Sequence, residues 1–150
     1  MKIVTFILLV FFLNSCAQNS HKPDSQMSYF NKSDVPKEYQ DLLINIETLK
    51  TGMITYMNEA NPEYTEKDVN QCVLILQSYI LEIAKSKSKK DGIEIIKSKI
   101  QELNELNKKC GDQLIETGER EQIAEIIILA GYKKGYNQKD EDVTEEWREW

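Results

Sequence analysis

The stretch that decides the fold runs from Thr65 to Gly111: Thr65-Glu66-Lys67-Asp68-Val69, then Cys72-Val73-Leu74-Ile75-Leu76, Tyr79-Ile80-Leu81 and Ile83-Ala84, a lysine-rich turn Lys85-Ser86-Lys87-Ser88-Lys89-Lys90, and Asp91 through Cys110-Gly111. Before the turn, Val69, Cys72, Val73, Leu76, Tyr79, Ile80, Ile83 and Ala84 recur at three- and four-residue intervals. This is the period of one helix face. After it, Ile93, Ile96, Ile100, Leu103, Leu106 or Asn107, and Cys110 repeat the pattern. Thr65 with an acid at the third helical position is a capping-box start, and Gly111 is a natural helix stop. A turn this short makes the two helices antiparallel neighbours.

Working outward, Pro36 to Ala60 carries a stripe of Tyr39, Leu42, Leu43, Ile46, Leu49, Met53, Tyr56, Met57 and Ala60. Ser33 or Asp34 can cap that helix, Pro36 suits its first turn, and Asn61-Pro62 ends it. Gly52, costly in a helix interior, predicts a bend or a close helix crossing. On the other side, Thr117 to Gly131 holds the run Ile123-Ala124, then Ile126 through Ala130. Because that run is apolar on nearly every side, it predicts a deeply buried helix or one with a face covered from outside. The C-terminal tail is the natural cover. There Thr144 can cap a last short helix, with acids in its first turn and Trp147 and Trp150 on one face. The expectation is an all-α fold: an up-down four-helix bundle with a short C-terminal capping helix.

Cys72 and Cys110 lie about 16 and 19 residues from the lysine-rich turn, so at about 1.5 Å per residue they sit at nearly one height. Both belong to inward stripes. A disulfide between them would stabilise by up to roughly 4 kcal/mol on a chain-entropy model. The alternative is two buried thiols acting as small hydrophobes.

The first sixteen residues have a different logic. Lys2 followed by the apolar run Ile3–Leu13 is shorter than the roughly 20 residues a spanning helix needs, and reads as a cleavable export signal. Leu13-Asn14-Ser15-Cys16 resembles the lipobox of bacterial lipoproteins. The resemblance implies cleavage before Cys16, lipid on its thiol, and residence in the bacterial cell envelope as a lipid-anchored protein. Ala17 after the cysteine matches the outer-membrane side of the enteric sorting rule. Residues 1–15 are then the signal peptide, 16–33 a polar lipidated tether, and 34–150 the helical domain. His21, the one histidine, falls in the tether.

Composition narrows the function. The chain has 19 Lys and Arg against 25 Asp and Glu, a net charge of −6, which disfavours nucleic acid as a partner. With the single histidine in the tether, a Ser-His or Cys-His nucleophile pair has no support. There is no Gly-rich phosphate loop, no Cys-x-x-Cys and no Glu-x-x-His. No enzyme, cofactor or metal is expected. Carboxylate pairs such as Glu102 with Glu105 read as solvated helix faces, and the turn at Lys85–Lys90 reads as an exposed loop that could touch anionic headgroups.

What remains is protein binding. Asp140, Glu141, Asp142, Glu145 and Glu146 surround Trp147 and Trp150. The tryptophans either fold back to close the core or anchor a partner inside an acidic rim. From Gly118 to Trp150 the chain resembles small helical bacterial proteins of unknown function, and as an acidic lipid-tethered domain it looks like immunity lipoproteins that neutralise envelope-targeting toxins. That likeness implies a basic toxin as partner and stoichiometric occlusion as mechanism. The alternative is an accessory envelope lipoprotein bound to a resident membrane complex.

Overall fold

The computed structural model describes residues 30–150. The expected export signal, Cys16 with its lipobox-like stretch, His21 and the expected tether as far as residue 29 lie outside the described residues. Within them the fold is all-α, with four helices and no strand: α1 Gln40–Ala60, α2 Glu66–Lys85, α3 Lys89–Lys109 and α4 Thr117–Lys133. None of these helices is long and apolar enough to cross a membrane.

Helix α2 is the hub, packing against α1, α3 and α4. Its start is fixed by Asp68, whose carboxylate accepts from the Thr65 backbone N–H at 3.0 Å and from the Thr65 hydroxyl at 2.6 Å. Hydrogen bonds from Thr65 and then Lys109 hold the Asp68 carboxyl down at about 2 despite its burial. The stripe read from the sequence is the buried face: Val69, Cys72, Leu76, Tyr79, Ile80 and Ile83 have no exposed surface. Tyr79 puts a hydroxyl in this apolar centre and satisfies it by donating to the Ile127 carbonyl at 2.8 Å, as a buried polar atom must. Helix α3 begins with the Ser88 hydroxyl accepting from the Asp91 N–H at 3.1 Å, and ends at Cys110 and Gly111, the latter at φ +64.

Helix α1 starts four residues later than its stripe implies. Lys32–Asp34 and Lys37–Tyr39 are separate 3-10 turns. Ser33 is held by Asn31, and neither Ser33 nor Asp34 caps α1. Tyr39 and Val35 are buried and Phe30 packs on the core, so this opening segment is part of the folded body. Gly52 does not mark a crossing. It is exposed, with open space where a Cβ would stand. The close approaches are at Gly92, against the Tyr136 ring, and Gly131, against the Asn137 amide.

Two further expectations are corrected. Cys72 and Cys110 both reach the core, but as free thiols. Cys110 occupies the C-cap of α3 at φ −91, ψ 19. Burial, with the neighbouring Cys110 adding to it, pushes the Cys72 thiol up to about 12, leaving it an inert apolar group. The short C-terminal helix is also absent: residues 143–147 make one turn, with the N–H groups of Trp147 and Arg148 reaching the Thr144 carbonyl. The Thr144 hydroxyl donates to Asp142 and accepts from Arg148 instead of capping. The Trp147 carbonyl and the Glu149 N–H then bond to Asn104 of α3 instead of continuing the turn.

Helix α3 packs along α2, and α4 along α1 and α2, but α3 and α4 share no extended contact. The tail lies in that seam.

Candidate functional site

The seam-filling segment, Tyr136–Trp150, carries every partner-binding residue expected from the sequence, and it is built as a strap with three fastenings. At its start, Lys134 donates to the Ala84 carbonyl at 2.7 Å, and the Tyr136 hydroxyl accepts from Ser86 at 3.0 Å. Gly135, at φ +79, makes the reversal that lets α4 end and the strap begin. Asn137 is buried and its amide nitrogen donates to the Ile128 carbonyl at 3.1 Å and the Gln138 carbonyl at 2.8 Å.

The second fastening is internal. Asp142 accepts from the Thr144 N–H at 2.9 Å and the Thr144 hydroxyl at 2.6 Å, and Arg148 Nη1 reaches its other oxygen at 2.6 Å. Burial pushes the Asp142 carboxyl up, but the bonds from Thr144 and Arg148 outweigh it and hold it below the ordinary range. Thr144 is wholly buried beneath this cluster.

The third is a side-chain grip. Asn104 of α3 donates to the Trp147 carbonyl at 2.8 Å and accepts from the Glu149 N–H at 3.2 Å. One amide therefore meets both a carbonyl and an N–H that a continuing helix would have satisfied.

These fastenings decide which expected residues face outward. Trp147 and Trp150 are half-buried and packed on the core. Asp140, Glu141, Asp142, Glu145 and Glu146 are on the exposed side. The result is an acidic ridge with a cleft on each flank. On the α4 side a groove of about 500 Å³ has Ala124, Ile128 and Leu129 as its floor and Arg120, Glu121 and Lys139 in its walls. On the α3 side a cleft of about 270 Å³ lies between Lys89, Ile93 and the strap residues Glu141, Glu146 and Trp147. The expectation that the tail covers α4 holds in part: Ile128 and Leu129 are half-buried, and the groove leaves part of that face open.

Sequence reasoning missed Asn104, Asn137 and Arg148, the residues that fasten the ridge. Only Arg148 had a local signal, four residues after Thr144; the partners of Asn104 lie 43 and 45 residues away. Among the described residues no group of three or more His, Cys, Asp or Glu is placed to hold a metal ion. Such a surface can recognise a partner by charge and shape. Comparison with protein-family models, with curated proteins and with solved structures finds no match for the chain.

Proposed function

We propose that this chain is a lipid-anchored, protein-binding lipoprotein of a bacterial envelope, and within that class an immunity protein that neutralises an envelope-targeting toxin by covering it. The observation that carries the reading is the acidic ridge of Asp140, Glu141, Glu145 and Glu146 on a backbone already fixed by Asn104 and Arg148. A surface ordered before it binds loses less entropy on association. Its exposed carboxylates steer a basic partner inward at a rate that falls with salt. Trp147 and Trp150 serve here by bracing the ridge. Binding is the whole activity, with no reaction and no cofactor.

The anchor in this reading is Cys16, and the outer membrane its destination. The body it carries is an up-down four-helix bundle. Two ion pairs support that topology: Lys109 with Asp68 at 3.0 Å joins the end of α3 to the start of α2, and Lys133 with Asp41 at 3.0 Å joins the end of α4 to the start of α1.

A contact competition tests the function. The gene and its immediate neighbour are deleted together, the strain is mixed with its parent on a surface, and survivors are counted with and without a restored copy. Killing beside the parent, rescued by this gene alone and lost again when the four ridge carboxylates become lysines, is the expected result. A deletant that survives contact but leaks or grows poorly alone points instead to an accessory lipoprotein on a resident envelope complex.

A further inference from the structure

Charge in this acidic protein is unevenly placed. Four separate parts of the chain meet at one end of the body. The turn Lys37–Tyr39 packs there against α1 and α4. Lys134 at the end of α4 is bonded to Ala84 near the end of α2. Tyr136 touches both Ser86, after α2, and Gly92, in the first turn of α3. Each part brings lysines. Lys32, Lys37, Lys85, Lys87, Lys89 and Lys90 are all exposed, and Lys133 stands beside them, paired with Asp41. The acids at this end are Asp34, Glu38, Asp41 and Asp91, with Glu141 and Glu146 across the cleft from Lys89. A chain of net charge −6 thus gathers exposed lysines at one pole, four of them in the turn Lys85–Lys90.

We propose that this pole is a docking face for an anionic phospholipid surface, with the exposed turn Lys85–Lys90 as its contact. A lysine near such a surface multiplies membrane partitioning about fivefold. Phosphate headgroups attract the lysines within about a Debye length of 8–10 Å. Delivery of the body to a membrane rests on the lipid-anchored reading above. The lysine face itself does not.

The test uses the full chain purified from envelope membranes, reconstituted in vesicles of phosphatidylcholine alone or with about one-third phosphatidylglycerol, and footprinted with an amine-acetylating reagent read by mass spectrometry. Expected is a fall of at least threefold in acetylation at Lys85, Lys87, Lys89 and Lys90 on the anionic vesicles, reversed by 0.5 M salt, with Lys50, Lys67 and Lys108 unchanged. A variant with those four lysines changed to Gln should lose at least tenfold in partitioning of the detergent-free, unlipidated chain to anionic vesicles. The Lys50, Lys67 and Lys108 to Gln variant should lose less than twofold. Equal acetylation at both poles, or equal protection by soluble inorganic phosphate or by an oligonucleotide without vesicles, overturns the proposal. The mass of the N-terminal peptide separates the two readings. A lipidated Cys16 with an unprotected pole overturns the docking face and leaves the anchor, whereas an unmodified Cys16 with a protected pole removes the anchor and supports the face.

Discussion

The α2–α3 pair and the α3–α4 seam solve the same problem in opposite ways. In the pair, two periodic stripes meet directly, and side chains such as Leu76, Ile80, Ile100 and Leu103 vanish into the interface. In the seam the helices stay apart, and irregular chain is laid between them on hydrogen bonds from Asn104, Asn137, Thr144 and Arg148. Burial by periodic helices needs no particular partner atom; burial by irregular chain must satisfy each stray N–H and carbonyl individually. The pair should therefore tolerate exchange among apolar residues of similar volume and resent lost volume, whereas the seam should resent the loss of a hydrogen-bonding side chain.

The largest effect tests the first half of that contrast. Leu76→Ala empties volume at the hub and should cost about 3 kcal/mol of global stability in denaturant unfolding. If it costs under about 1 kcal/mol, α2 is not the centre. Next, Gly92→Ala sets a methyl against the Tyr136 ring and Gly131→Ala sets one against the Asn137 amide. Each should cost about 2 kcal/mol, within the range for overpacking. Amide exchange should speed up first in residues 136–150, and uniform acceleration across α2 would show that the strap is not a separate unit.

Asn104→Ala removes no apolar volume to speak of, yet frees a backbone carbonyl and an N–H. It should cost about 1–2 kcal/mol and expose Trp147 to a fluorescence quencher. Asp68→Asn weakens the α2 start by about 1 kcal/mol. Its pH signature is more telling. The folded carboxyl lies at about 2, below the ordinary value near 4, so its contribution is whole above about pH 4 and drains away as pH falls toward 2. The variant should lose that part of the acid limb and lie parallel to the wild type above pH 5. Smallest, and of opposite sign, Gly52→Ala should stabilise by up to about 1 kcal/mol, because the residue is helical and meets nothing.

The same contrast governs what could be read in advance. The pair was legible because periodicity, the Thr65–Asp68 cap and the Ser88 start all act within a few residues of one another. The depth of Cys72 and Cys110 followed from helix rise. Their bonding did not, since two buried free thiols fit the same placement as a bonded pair. Helix α4 advertised burial without saying by what, because an all-round apolar run has no preferred face. Gly52 drew attention as a helix glycine and Gly131 as the stop of α4, which runs on to Lys133, while Gly92 passed unmarked: the atoms that crowd Gly92 and Gly131 belong to Tyr136 and Asn137, and nothing near Gly92 in sequence announces the encounter. The acidic rim was visible as composition. Its presentation was not, because Asn104 sits on another helix.

The grip of Asn104 on Trp147 spans 43 residues, and that span has a meaning in time. A contact closing so long a loop, with little apolar surface behind it, is entropically expensive to form early. It should be absent from the folding transition state, so loosening it ought to leave the refolding rate of the body nearly unchanged and move the unfolding arm of the chevron alone. A refolding arm slowed in parallel would place the strap in the nucleus. As built, it behaves as a bolt drawn across a door already shut: it contributes nothing to finding the fold and lengthens the time the fold lasts.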